Sequence, residues 1–163
     1  PAGEMPAVLM LLDGVLVARS VRGERRVAAA DLFAGPLEST LAPDELAVAV
    51  EFPLAPARRR SAVVEVSRRH GDYAVCGVAV TVDVDPDDRI TSARAAYVSI
   101  GPVPPVLDLT GLVAGRPVDE APWAEVAARA TDQLEPEADI HATAEYRGHL
   151  AAVLTERAFR EAA

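Results

Sequence analysis

The chain has 163 residues, half of them hydrophobic, with 16 basic against 25 acidic side chains and a formal net charge of −9. That length suits one ordinary domain, or one domain with a piece of another, and every basic residue is arginine. The acidic balance excludes a nucleic-acid or anionic-membrane surface, each of which needs a basic patch, and the single cysteine, Cys76, excludes an intrachain disulfide and an iron–sulfur cluster held by this chain alone.

In chain order, "PAGEMPAVLMLL" has an apolar run with no basic segment before it and no small-residue cleavage site, so it makes a poor signal peptide. It begins on Pro rather than Met, which suits a processed product or a fragment. No apolar stretch reaches the roughly 20 residues that a membrane span needs, and together with the lone cysteine this leads us to expect a cytoplasmic protein. Residues 7–12 read as a short buried strand, and Asp13–Gly14 as a hairpin turn into "VLVARSVR". A turn at Gly23 leads to "RRVAA". "AADLFAGP" (29–36) reads as one helical turn stopped by Gly35 and Pro36. "LAVAVEFP" (46–53) is the next strand, ended by Pro53, and "LAPARRR" (54–60) is a loop and a candidate boundary.

Three strand-like runs follow, at 61–68, 73–85 and 89–100. In the second, Ala74, Cys76, Val78, Val80, Val82 and Val84 form one continuous apolar face, so one side of an antiparallel meander is expected to be buried. Cys76 reads as inert core. Prolines 102, 104 and 105 end the sheet region. The remainder reads as helical. A short helix ends at Gly115, a second has Pro122 in its first turn, and the last carries an apolar stripe of Tyr146, Leu150, Val153, Leu154 and Ala158. The expected fold class is α+β, with three antiparallel strands packed by about three helices on one face.

Few residues advertise chemistry. "DVDPDDR" (83–89) offers Asp83, Asp85 and Asp87, but Asp88 and Arg94 stand where a calcium loop needs Gly and Glu, so it reads as a solvated hairpin turn. His70, His141 and His149 have no metal-ligand spacing, and no glycine-rich phosphate loop occurs. "RRHGDY" (68–73) has two readings. It is a polar strand-to-strand turn with Gly71 at positive φ, or a loop in which Tyr73 presents a stacking wall to a planar cofactor beside a glycine that permits close approach.

Four stretches together resemble the FAD-binding (medium) subunit of molybdenum hydroxylases, the aerobic carbon monoxide dehydrogenase and xanthine dehydrogenase group. These are "AADLFAGPLESTLAPDELAVAVEFP" (29–53), "VVEVSRRHGDYAVCGVAV" (63–80), "SIGPVPP" (99–105) and "DIHATAEYRGHLAAVLTERA" (139–158). The resemblance implies that residues 1–55 are the C-terminal remainder of an FAD-binding α+β domain, and residues 61–163 a carbon monoxide dehydrogenase flavoprotein-type C-terminal domain. It implies an electron-transfer role, from [2Fe–2S] clusters through FAD to an acceptor, with molybdopterin on a molybdenum-binding large subunit and the clusters on an iron–sulfur small subunit. Arg69, Gly71, Asp72 and Tyr73 would lie near the isoalloxazine, with Tyr73 covering one face and Asp72 fixing the loop, and Leu46 would lie near the cofactor's far end. Some members carry a cofactor-contacting leucine and lysine where this chain has Ala47 and Val64. The family's pyrophosphate-binding loops would be supplied by an upstream segment or a second polypeptide, so FAD would be shared with it. The rival reading is a non-catalytic assembly or binding domain of the same fold without flavin.

Overall fold

The computed structural model describes residues 3–163; the first two residues of the expected 1–55 segment lie outside it. The chain opens on a helix, α1 (Glu4–Leu11), then forms strands β1 (Val15–Ser20) and β2 (Gly23–Ala28), a single turn α2 (Ala29–Leu32), the short strands β3 (Phe33–Gly35) and β4 (Glu38–Ser39), and β5 (Leu46–Glu51). After the 54–58 loop come β6 (Arg59–Val66), β7 (Cys76–Val84), β8 (Ile90–Val98) and β9 (Val106–Asp108), then α3 (Thr110–Val113), α4 (Trp123–Thr131) and α5 (Ala144–Ala162). The class is α+β, as expected, with antiparallel sheets ordered β2-β1-β5, β3-β4 and β6-β7-β8-β9.

Residues 7–11 lie in a helix, not a strand, and Leu12 caps its end. A six-residue apolar run cannot distinguish the two; here burial on two sides decides. Ala7 and Leu11 pack with Ala79, Ala96 and Val98 of the four-stranded sheet, while Leu9 packs with Leu16, Ala18, Val27, Ala29 and Leu32. The helix is wedged between two sheets, so its apolar residues leave no polar face to reveal a helical period. Asp13, at φ 51°, turns the chain from α1 into β1 rather than closing a hairpin. Its carboxylate forms a bidentate pair with Arg94 on β8, at 2.6 and 2.9 Å.

The same wedge corrects a second expectation. Side chains alternate across a strand, so Val78, Val80 and Val82 face one side of β7 and Ala79 the other. Both sides are buried. α4 and α5 cover the first, joining Ala93, Ala95 and Tyr97 to Leu150, Leu154, Ala158 and Phe159, and α1 covers the second. The Tyr97 hydroxyl ends 3.1 Å from Thr155 Oγ1. Thr155 gives its one proton to the Ala151 carbonyl (2.6 Å), so Tyr97 is the donor, and burial pushes its phenol up to about 12. Trp123 and Phe159 stack with ring centroids 4.6 Å apart. Burial likewise pushes the Cys76 thiol up to about 12, which leaves it inert core as expected.

Two further readings change. The prolines after β8 interrupt the sheet without ending it: the chain returns as β9, a fourth strand, pairing Val106 with Ala96 and Asp108 with Arg94. The buried stripe of α5 runs through Arg147, Leu150, Ala151, Leu154, Thr155, Ala158, Phe159 and Ala162, and Tyr146 and Val153 are half exposed beside it. The aspartate turn is a hairpin as expected, with Asp85 Oδ1 accepting from the N–H groups of Asp87 and Arg89, both at 2.9 Å.

The wedge is testable at Ala96, which is fully buried in the cluster α1 shares with the sheet. Ala96→Leu overfills that cluster and is expected to destabilise the fold by about 1–3 kcal/mol in chemical denaturation. An unchanged midpoint would mean that α1 does not cover this face.

Candidate functional site

The loop between β6 and β7 carries the opening half of the site. Its base is closed by Val75 N–H donating to the Val66 carbonyl (2.8 Å). Inside it, Ser67 Oγ and the Asp72 N–H both donate to the Arg69 carbonyl, at 3.0 and 3.1 Å. Gly71 sits at φ 85°, the left-handed region that favours glycine, and a Cβ there would meet open space, so backbone conformation rather than crowding requires it. Tyr73 is 80% exposed, so its ring is no part of the core.

Gly71, Asp72 and Tyr73 form one wall of a cleft of about 540 Å³, within the size range of small-molecule pockets. The second wall is the bend after β8, Ser99 to Pro102. Ser99 adopts φ 61°, unusual for a residue with a Cβ, and its Oγ donates to the Ala74 carbonyl at 2.7 Å. The third wall is the segment before α5, with Glu137, Ala138, Asp139 and His141, and Pro36 lies at the margin. Thr143 caps α5 by accepting from the Tyr146 N–H (3.2 Å), and so sets Arg147 in the first turn facing the cleft.

Of the residues expected at the site, the structure brings Gly71, Asp72 and Tyr73 together. Arg69 contributes its carbonyl to the loop but does not line the cleft, where its neighbour Arg68 does. Leu46 is exposed on β5 and lies outside the cleft lining. Asp72 braces the loop through its backbone N–H; its carboxylate makes no hydrogen bond among the described residues.

The sequence reading missed Arg68, Asp139, His141 and Arg147. Arg68 Nη2 lies 2.7 Å from His141 Nδ1. Because a guanidinium only donates, that nitrogen accepts and the imidazole proton sits on Nε2. Arg147, only 6% exposed, donates from Nη1 to the Ser99 carbonyl and from Nη2 to Asp139 Oδ2 (2.6 Å), while its Nε is buried without a partner. Asp139 Oδ1 accepts from the N–H groups of His141 (2.8 Å) and Ala142 (3.0 Å). These contacts, the His141 N–H first, hold its carboxyl down at about 2, against a smaller desolvation that opposes them.

Comparison with known proteins gives a consistent result. Residues 61–162 match the CO dehydrogenase flavoprotein C-terminal domain, and residues 1–55 the FAD binding domain in molybdopterin dehydrogenase. The chain is 39% identical to the caffeine dehydrogenase subunit beta of Pseudomonas sp. (strain CBB1), with 100% of the chain and 56% of that protein covered. It is 37% identical to the nicotine 6-hydroxylase medium subunit of Paenarthrobacter nicotinovorans, with 99% and 56% covered. It superposes on quinoline 2-oxidoreductase from Pseudomonas putida 86 with a TM-score of 0.87 at 30% identity, covering 99% of this chain and 56% of that one. The chain therefore spans about half the length of the relatives it matches. Among the described residues no helix is long and apolar enough to cross a membrane.

The Asp139 carboxyl yields a test by pH. Its folded value lies near 2 against an ordinary 3.8, so its contribution to stability is present above pH 3.8 and is lost as the pH falls through about 2. Denaturant titrations across that window should show a shallower acid loss of stability in Asp139→Asn than in the wild type. Parallel acid limbs would remove Asp139 from the network.

Proposed function

We propose a function that proceeds from one fact: this chain belongs to the FAD-binding medium subunits of the molybdenum hydroxylases, in the carbon monoxide dehydrogenase group. Its role is to help hold FAD, with the isoalloxazine in the cleft beside Tyr73. The observation that carries this reading is an exposed aromatic ring, free of internal packing, on the rim of a 540 Å³ cleft. A flavin fits that arrangement chemically. Its tricycle is planar and stacks on an aromatic face, and the open space at Gly71 lets a ring approach the backbone. Arg68 supplies N–H donors suited to the carbonyl oxygens at one end of such a ring. Asp72 and Arg69 shape the loop through backbone groups, and Leu46, exposed on β5, serves the cofactor's far end.

FAD would supply the chemistry of accepting electrons and passing them on. In the proposed assembly they come from [2Fe–2S] clusters on an iron–sulfur small subunit, after substrate oxidation at molybdopterin on a large subunit, and leave to an acceptor. The segment carrying the diphosphate-binding loops completes the cofactor site, with backbone N–H groups facing the phosphates. The protein residues here bind and orient; none is asked to move a proton.

Two measurements test the reading. Stoichiometric yellow flavin should follow this chain through purification of the complex, and a flavin-free complex would reject it in favour of an assembly domain. Tyr73→Ala should shift the flavin's spectrum or reduction potential and weaken its retention by roughly 10–100-fold, the scale of losing one stacking partner at about 1–3 kcal/mol. Because the ring is 80% exposed, the melting temperature should barely move. A lowered melting temperature with unaltered flavin would make Tyr73 a structural residue.

A further inference from the structure

The polar contacts around the cleft close into a ring, and the ring returns to the Tyr73 loop at both ends. Arg68, at the start of the loop, donates to His141 Nδ1. The His141 N–H donates to Asp139 Oδ1, and Asp139 Oδ2 pairs with Arg147 Nη2. Arg147 Nη1 donates to the Ser99 carbonyl. Ser99 Oγ donates to the carbonyl of Ala74, the residue after Tyr73. Arg147 is the one member that joins the two arms, the bend after β8 and the segment before α5. It is also the only charged residue buried as a whole among the described residues.

We infer that Arg147 is a positioning residue for Tyr73, gripping the 67–75 loop from both ends through Ser99 on one side and Asp139–His141–Arg68 on the other. Three observations favour this over a bracing role within the core. Both of its paired nitrogens point to cleft walls, and neither bonds to the sheet or to α4. A buried guanidinium is costly unless its partners are well placed, so an apolar residue would serve the core better at the end of the Leu150–Ala162 stripe. Tyr73 itself is fixed by no packing, since its ring is exposed; its direction has to come from the loop, and Arg68 and Ala74 are where that loop is held. The planar fork of arginine meets two acceptors in fixed directions, which a lysine's single ammonium does not reproduce.

The inference rests on the flavin reading only for its purpose; the geometry of the ring needs no flavin, and its test is read without one. Hydrogen–deuterium exchange on the whole 163-residue chain reports the loop directly, with the Asp72 amide as its internal probe. His141→Ala removes the acceptor for Arg68 at an exposed site, so the fold should survive. His141→Asn restores an acceptor oxygen near the Nδ1 position. Arg147→Lys keeps the charge and loses the fork. His141→Ala and Arg147→Lys should each accelerate exchange in 68–74 by about tenfold, the scale of losing one charge-assisted hydrogen bond. Exchange in β6 and β7 should stay unaltered, and His141→Asn should behave as the wild type. Unchanged loop exchange in His141→Ala, exchange in His141→Asn as fast as in His141→Ala, or acceleration spread evenly over the sheet in Arg147→Lys would each overturn the inference. A loop that loosens as expected while Tyr73→Ala leaves the flavin untouched would keep the ring and reject the flavin reading.

Discussion

Two strands, β7 and β8, need cover on both faces, and meeting that need places most of the chain. One face is valine-rich and takes α4 and α5; the other presents the small residues Ala79 and Ala96 and takes α1. The difference in side-chain size is physical, not decorative. Alanine on the second face lets a helix backbone approach closely, and only a helix with apolar residues on two sides can then also seal the β2-β1-β5 sheet behind it. α1 therefore joins the two halves of the sequence through packing, and the Asp13–Arg94 pair fastens its end to β8. That pair is largely exposed on the aspartate side, so it directs the approach more than it stabilises it.

The cleft follows from where this layering stops. β6 and β7 are joined by a loop too long for a tight hairpin, β8 runs into a proline-rich bend, and α5 is entered from an extended segment. All three meet at one end of the four-stranded sheet, around the cleft. Loops at the end of a sheet are positioned by a rigid scaffold while remaining open to a ligand. The scaffold alone does not fix their relative placement, and here polar contacts do so. The left-handed Ser99 aims an Oγ at one wall while its carbonyl meets Arg147, and Asp139 collects two backbone N–H groups and a guanidinium. Strain of this kind persists only where the surroundings over-determine it, and the six-residue network of Arg68, His141, Asp139, Arg147, Ser99 and Ala74 does that.

Much of the fold was legible because alternation is a strong signal in strands buried on at least one face. The runs at 46–53, 61–68, 73–85 and 89–100 all proved to contain strands. Two of the departures share one cause, which is burial on more than one side. The run at 7–12 has no polar face because two sheets flank it, and the second face of β7 was overlooked because alanine and glycine give a weak hydrophobic signal beside valine. β9 was lost for another reason: three residues pair over too short a stretch to show a period, and the prolines before it read as a terminus.

At the site, the glycine–aspartate–tyrosine loop was found from its local chemistry, whereas Arg68, Asp139, His141 and Arg147 come together only through tertiary folding across about 80 positions of sequence. One signal was nevertheless present. Arg147 stands three, four, seven and eight residues before Leu150, Ala151, Leu154 and Thr155, in register with the buried stripe of α5. A charged residue in phase with an apolar helical face has to reach a partner or face a cavity, since a buried unpaired charge is too costly to keep. A stripe drawn through Tyr146 and Val153 has a shifted phase and leaves Arg147 out. With the phase corrected, that arginine alone directs attention to the open end of the sheet, and from there to the carbonyl and carboxylate that must meet it.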